Sequence, residues 1–178
     1  MRIITGTARG RKLREPADQK VRPTTSVVKE AIFNIIQFDI EGRRVCDLFA
    51  GTGQLGLETL SRGAKSCDFV DSVKASIELI KHNIKATELS GARVFQSDAR
   101  SFLQGRERYD LIFLDPPYDF PHLDQIIQDI VGFDILNKNG IIVCETKCEA
   151  TLPKVEAPYE KGKEYRYGKV KVSIYTRV

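Results

Sequence analysis

No stretch of this 178-residue chain stays apolar for the roughly 18–20 residues that a helical membrane span requires, so no such span is expected. The opening residues, Met1-Arg2-Ile3-Ile4-Thr5-Gly6, lack the apolar core of a signal peptide, and a cytoplasmic location is expected. Histidine is scarce, with only His82 and His122. The four cysteines, Cys46, Cys67, Cys144 and Cys148, form no C-x-x-C pair. Neither a zinc site nor a disulfide framework is expected, no other metal is invoked, and the cysteines read as reduced thiols in apolar surroundings. Internal repeats and low-complexity tracts are absent. The length suits one domain with a buried core, and a monomer is the default expectation.

What is present is unevenly distributed. Residues 1–22 carry seven Lys/Arg against two acids, a balance of +5, and residues 154–178 carry seven against three, a balance of +4. The whole chain is only +4, so the middle holds −5. Two basic ends flank an acidic centre. Brought together in space they make a face suited to a phosphate backbone; kept apart, they are two solvated termini.

The periodicity divides the chain into a small basic β extension, residues 1–22, and a main domain, residues 23–178. The extension holds β-like pieces at 2–5 and 11–13, broken by Gly6 and Gly10. Arg22-Pro23-Thr24-Thr25-Ser26 then offers a turn and capping hydroxyls. Val28, Ala31, Ile32, Ile35 and Ile36 lie at helical spacing within 26–38. Beyond residue 42, strands and helices alternate. Strands are expected at 45–49, 65–70, 93–96, 109–114 and 140–145, and helices at 55–61, 73–86 and 123–131, with a further helix start near Arg100. Alternation of this kind implies a mostly parallel sheet covered by helices on both faces, an α/β Rossmann-like fold. The end differs. Tyr165-Arg166-Tyr167-Gly168-Lys169 is a turn between strand-like segments, read as an antiparallel hairpin closing the sheet edge and completing a seven-stranded sheet.

Two motifs carry chemistry. Asp115-Pro116-Pro117-Tyr118 ends the apolar run Leu111-Ile112-Phe113-Leu114. Two prolines stop helix and sheet alike, so the chain leaves the strand abruptly. The Asp115 carboxylate and the Pro116 carbonyl accept hydrogen bonds, and Tyr118 offers a stacking face. That set suits a planar group with an exocyclic amine, such as a nucleobase. The plainer reading is a turn after a core strand, but ligands of open α/β sheets bind beyond the carboxyl ends of strands.

The second motif, Asp47-Leu48-Phe49-Ala50-Gly51-Thr52-Gly53-Gln54-Leu55-Gly56, joins the first of these strands to its helix. Gly51, Gly53 and Gly56 match G-x-G-x-x-G, and Asp71 follows where a ribose-binding acid belongs. A dinucleotide fits this poorly, because Asp47 would face a pyrophosphate. A cationic amino group fits it well. S-adenosylmethionine joins an adenosine to an amino acid without phosphates. Its ribose would take Asp71, its amino-acid end would lie over the glycine loop by Asp47, and its adenine would meet Asp98. Asp71 and Asp98 also suit helix caps, a role compatible with ligand binding.

Together the two motifs resemble those of Rossmann-like amino-group methyltransferases. The likeness goes further. Arg2-Ile3-Ile4-Thr5-Gly6, Arg9-Gly10-Arg11, Arg22-Pro23-Thr24-Thr25, Lys29-Glu30 and Phe33-Asn34 resemble the ribosomal small-subunit methyltransferase D family. So do Leu57-Glu58, Leu60-Ser61-Arg62-Gly63-Ala64 and Tyr167-Gly168. Departures are mild: Asp71 stands where the family often has Glu, Thr52 where it has Ser, and Lys29 where Arg is common. The resemblance implies methyl transfer from S-adenosylmethionine to the N2 amine of one guanine in 16S rRNA, within the assembling small ribosomal subunit. It implies catalytic residues Asp115, Pro116, Pro117 and Tyr118. Cofactor contacts would come from Asp47, Phe49, Ala50, Gly51, Thr52, Gly53, Asp71, Asp98 and Ala99. Arg9, Arg11, Lys12 and Arg22 are the candidate RNA contacts, with weaker claims for Lys169 and Lys171.

Three rivals remain. A DNA adenine-N6 or cytosine-N4 methyltransferase keeps the chemistry but has little chain to spare for a target-recognition domain. An NAD-dependent oxidoreductase uses the glycine motif and leaves the later strands without an acid–base pair. A non-catalytic RNA-binding module uses the basic ends and leaves the strand-end acids idle.

Overall fold

The computed structural model describes residues 1–16, 26–105 and 107–178. Seven strands form one sheet: β1 (Arg44–Asp47), β2 (Ser66–Asp71), β3 (Ala92–Gln96), β4 (Tyr109–Leu114), β5 (Leu136–Lys147), β6 (Tyr159–Tyr167) and β7 (Val170–Arg177). Their order is β3-β2-β1-β4-β5-β7-β6. The first five are parallel, and β7 runs antiparallel between β5 and β6. The helices are α1 (Ser26–Ile35), α2 (Gln54–Ser61), α3 (Lys74–Thr87), α4 (Ala99–Leu103) and α5 (Leu123–Gly132). This is the expected mostly parallel α/β sheet with an antiparallel C-terminal hairpin. No helix among the described residues is long and apolar enough to cross a membrane.

Side-chain alternation along the strands builds two cores, one on each face. Leu111 and Phe113 of β4 point to one face with Val45, Phe69, Val143 and Val172. Ile112 and Leu114 point to the other with Cys46, Val70, Ile142 and Cys144. The first face is covered by α1, α2 and α3 through Ile32, Leu57 and Ile80, the second by α4 and α5 through Leu103, Ile126 and Ile130. Strands buried on both faces read as continuous apolar runs, which is why β4 is legible in the sequence at both ends.

Several boundaries depart from periodicity: β1 ends at Asp47 rather than 49, β6 continues through Tyr165–Tyr167 where a turn is expected, and the expected β-like pieces at 2–5 and 11–13 form only an isolated Arg2–Lys12 bridge. The α1 helix stops at Ile35 rather than 38. Asp39 N–H closes a turn on the Ile36 carbonyl at 2.8 Å, and Phe38, at 90% exposure, has no core to join. Strand β5 begins at Leu136 rather than 140, because Leu136 pairs with Tyr109 before the register slips and resumes at Ile141 opposite Leu111. The slip spans Asn139, whose φ is +60°, and Gly140.

Residues 1–16 pack onto the main body. Ile3, Ala8 and Leu13 are buried in the first core. Glu58 of α2, fully buried, receives the backbone N–H groups of Ile4 (2.8 Å) and Thr5 (3.0 Å). The same carboxylate pairs with Lys29 of α1 at 3.0 Å and with Arg62 at 2.9 Å. Burial lowers the Lys29 pKa, and Glu58 opposes that shift. One carboxylate therefore ties the N-terminal segment to two helices. Glu58→Ala is expected to destabilise the protein by about 3–5 kcal/mol in urea unfolding, because it strands a buried cation and two amides. A loss below about 1 kcal/mol would contradict this role.

Candidate active site

The site sits where the strand order reverses, with β1 leading outward to β2 and β3 on one side and to β4 and β5 on the other. Such a switch point opens a crevice at the carboxyl ends of the strands. Asp47 ends β1, and Asp115 follows the end of β4 next to it, with Asp47 opposite Phe113.

The loop after β1 turns through Gly51 (φ +54°) and Gly53 (φ +77°), backbone conformations that disfavour a Cβ. Gly56 has another reason: a Cβ there would lie 2.3 Å from the Phe69 ring, so the third glycine serves helix–sheet packing. Asp47 is buried, and its Oδ2 accepts the Gly56 N–H at 3.1 Å. Its Oδ1 is buried with no hydrogen-bond partner among the described residues. Burial raises the Asp47 pKa to about 7; the Gly56 hydrogen bond opposes the rise, and Asp115 and Asp71 add to it. A buried carboxylate with one oxygen left without a partner among the described residues, on a cleft wall, is a ready site for an ammonium group.

Asp71, at the end of β2, braces the loop. Its Oδ2 accepts the Gly51 N–H at 2.9 Å, and its Oδ1 the Val73 N–H at 2.8 Å. Asp98 caps α4, accepting the Ser101 N–H at 3.0 Å, and its pKa is lowered first by hydrogen bonding with the Ser101 side chain and then by that backbone contact. The capping reading therefore holds for Asp98, and both acids still line the cleft.

Beyond β4, Pro116 is buried while Pro117 and Tyr118 are exposed, and the Phe120 N–H closes the turn on the Pro117 carbonyl at 2.9 Å. The Phe49 and Phe120 rings meet edge to face at 5.0 Å, linking the glycine loop to the Pro-Pro turn. The pairing of Leu114 with Cys144 sets Asp115 abreast of Glu145 on β5. Tyr118 Oη donates to Glu145 Oε1 at 3.4 Å, and Lys147 Nζ lies 5.7 Å from the Tyr118 ring centroid.

All of this borders one cleft of about 1740 Å³. Pockets for a single small ligand usually hold about 300–1,000 Å³, so there is room for a cofactor and a base side by side. Asp47, Phe49, Ala50, Gly51, Thr52, Asp71, Asp98, Ala99, Asp115, Pro116, Pro117 and Tyr118 all line it. Gly53 does not; it starts α2 beneath the loop, against Phe69 and Ile80. Arg9 reaches the rim with Arg2, and Val170 of the C-terminal hairpin lines the same cleft, so segments from both basic ends meet there. Arg11 has another task. It donates to the Ala86 carbonyl at 2.9 Å and pairs with Glu88 at 2.6 Å, holding the N-terminal segment to the end of α3. Lys12 is exposed and is not among the residues lining the cleft, and Arg22 lies outside the described residues. Lys171 is buried, donating to the Ala150 carbonyl at 2.5 Å.

Sequence reasoning missed Glu145 and Lys147 as cleft residues. The signal is present: after Ile141-Ile142-Val143-Cys144, the strand ends on two charged residues two positions apart, as β1 and β2 each end on an acid.

The sequence profile of a family described as "Conserved hypothetical protein 95" matches residues 1–176. The Escherichia coli K12 protein named "Ribosomal RNA small subunit methyltransferase D" is 35% identical, covering 99% of this chain and 90% of that protein. This chain belongs to the ribosomal small-subunit methyltransferase D family. Among its relatives is the "Putative rRNA methyltransferase YlbH" of Bacillus subtilis, 39% identical over 99% of each chain. The solved structure of "Putative methyltransferase yhhF" from E. coli superposes with a TM-score of 0.90 at 33% identity, covering 99% of this chain and 97% of that one. The family's fold extends further. A "putative sam-dependent methyltransferase" from Streptococcus mutans matches with a TM-score of 0.67 at 19% identity, over 83% of this chain and 48% of that one, a likeness of fold alone.

Proposed function

We propose that this chain methylates the exocyclic N2 amine of a guanine in 16S rRNA of the assembling small ribosomal subunit, using S-adenosylmethionine. One observation carries the reading: a buried Asp47 carboxylate oxygen with no partner among the described residues and the Asp115-Pro116-Pro117-Tyr118 turn share a single cleft. The names of the E. coli and B. subtilis relatives support an rRNA substrate.

The residues fit the cofactor. Asp47 Oδ1 would take the ammonium group, the glycine loop the amino-acid end, Asp71 the ribose and Asp98 the adenine amine. The cofactor supplies an electrophilic methyl group on a sulfonium. The chain's own residues do the rest. An aryl amine is a weak nucleophile because its lone pair is delocalised into the ring. Asp115 and the Pro116 carbonyl each accept one amine hydrogen, which holds the nitrogen and favours a pyramidal geometry. The Asp115 carboxylate also stabilises positive charge developing on nitrogen. Tyr118 stacks on the base, which must leave any helical stack to enter. As the nitrogen gained the methyl group, whose bond to the sulfonium sulfur would break to leave a neutral thioether, it would shed a proton to Asp115 or water. Positioning supplies much of the acceleration.

Arg9 and Lys12, both exposed, are the candidate phosphate contacts from the N-terminal segment. RNA affinity is expected to fall steeply with salt, and Arg9→Ala to reduce the slope of log K against log salt by about 0.7–0.9. Filter binding between low and high salt checks this; a flat response would remove the basic rim from the interface.

The direct test is methyl transfer from labelled S-adenosylmethionine to unmodified small-subunit particles, naked 16S rRNA and duplex DNA. Label as N2-methylguanine in rRNA is the expected result. Label in DNA would instead support an adenine-N6 or cytosine-N4 methyltransferase. Binding of NAD without S-adenosylmethionine would support an oxidoreductase.

A further inference from the structure

We infer that Glu145 and Lys147 read the Watson–Crick edge of the target base and thereby select guanine. The inference rests on the guanine-N2 reading above. It follows from the register of two neighbouring strands. Residues two apart on a strand share a face, so Glu145 and Lys147 point the same way, and both line the cleft that holds Asp115. Asp115 follows the end of β4 abreast of Glu145, one position past the Leu114–Cys144 pair, and β4 and β5 run about 4.8 Å apart. Lys147 lies two residues farther out, about 6.6 Å along the strand. The order across the cleft floor is therefore carboxylate, carboxylate, ammonium.

The edge of guanine presents an N2 amine donor, an N1–H donor and an O6 acceptor, in that order. With its N2 amine on Asp115, its N1–H meets Glu145 and its O6 meets Lys147. The Tyr118 ring lies alongside, its hydroxyl 3.4 Å from Glu145 and its centroid 5.7 Å from Lys147 Nζ. Adenine turned the same way would set its N1 lone pair against the Glu145 carboxylate and an amine against the Lys147 ammonium. Glu145 is only 4% exposed, and a contact with so desolvated a carboxylate discriminates more strongly than one at the surface.

The test replaces the mapped target guanosine with 2,6-diaminopurine or 2-aminopurine nucleoside in ligated rRNA. Both keep the N2 amine. The first exchanges N1–H for a lone pair and O6 for an amine; the second lacks N1–H and O6. Wild-type enzyme is expected to prefer guanine by at least about 100-fold in kcat/KM, as sites built around a buried hydrogen bond do. Glu145→Gln, whose amide can donate to an N1 lone pair, should narrow the guanine/2,6-diaminopurine ratio by about tenfold or more. Lys147→Ala, at an exposed position that threatens folding little, should narrow the guanine/2-aminopurine ratio by about tenfold. Tyr118→Phe removes the hydroxyl bonded to Glu145 and should leave both ratios at the wild-type value, whatever it does to the rate. If Glu145 serves only to anchor Tyr118, Glu145→Gln slows all bases alike and the inference is overturned. Unchanged ratios in both the Glu145 and Lys147 variants overturn it while the guanine-N2 reading survives. Wild-type enzyme that labels no guanine N2 overturns both.

Discussion

Asp115→Ala is expected to lower kcat by about 10³-fold and to leave cofactor affinity within about threefold of wild type, because in the proposed reading the carboxylate acts on the amine rather than on the cofactor. Removing it would delete the proposed acceptor of one amine hydrogen and the negative charge proposed to meet a nitrogen turning positive. Asp115→Asn separates these two effects. Its amide oxygen still accepts a hydrogen bond but carries no charge, so its loss should fall between, at about 10²-fold. Single-turnover transfer to unmodified small-subunit particles measures the chemical step, and titration with S-adenosylhomocysteine measures binding. Asp115 also adds to the upward pressure on the Asp47 pKa, so its removal leaves the Asp47 carboxylate easier to ionise and gives no reason for cofactor affinity to fall. A rate within tenfold of wild type for Asp115→Ala would move the catalytic assignment away from this turn.

The second large effect belongs to Asp47. Burial, above all, pushes its carboxyl pKa up to about 7. Only the ionised form attracts an ammonium group. Affinity for S-adenosylmethionine should therefore be level above pH 7 and fall by up to about tenfold per pH unit below it, with proton release on binding. Asp47→Asn should weaken binding by about 10–100-fold at pH 8, since hydrogen bonds to charged groups contribute about 1.5–3 kcal/mol, and should flatten the pH profile. Calorimetry from pH 5.5 to 8.5, in buffers of differing ionisation enthalpy, reads both effects. Stability moves the other way. A carboxyl whose folded pKa lies above its ordinary 3.8 contributes stability that is fully present below that value and lost as pH rises through about 7. The ligand-free wild type should thus lose melting temperature across this window relative to Asp47→Asn. A pH-independent affinity in the wild type would show that Asp47 does not meet the cationic group.

Both predictions depend on residues that the sequence alone makes legible, and the reason is local chemistry. Asp115-Pro116-Pro117-Tyr118 stands out because prolines stop a strand whatever surrounds it, and β4 is bounded at both ends by charge and proline. The glycine loop stands out because Gly51 and Gly53 need left-handed backbone, a property of the residue itself. The acids Asp47 and Asp71 are visible because each directly follows apolar residues, and Asp98 because it lies two residues past the short strand at 93–96. What they bond to is not visible in that way. Asp71 holds the Gly51 amide, 20 residues earlier in the chain, and no spacing rule implies that contact.

Other residues need the fold. Glu58 reads as an ordinary helical acid, yet it is fully buried and joins the N-terminal segment to α1 and α2. Arg11 reads as an RNA contact because it is basic, yet Glu88 and the end of α3 occupy its guanidinium. Gly140 reads as a strand start, yet β5 pairs from Leu136 through a register slip. Each case turns on a partner far away in sequence.

The sequence by itself determined the alternation of strands and helices, the two motif loops, the family and the basic ends, because backbone preference, side-chain periodicity and charge are written residue by residue. Only the tertiary structure decided that Asp47 and Asp115 share one cleft, that Glu145 stands abreast of Asp115, and that Arg9 rather than Arg11 reaches the rim. Those facts depend on strand order and register, which arise when β1 and β4 pair across more than 60 intervening residues.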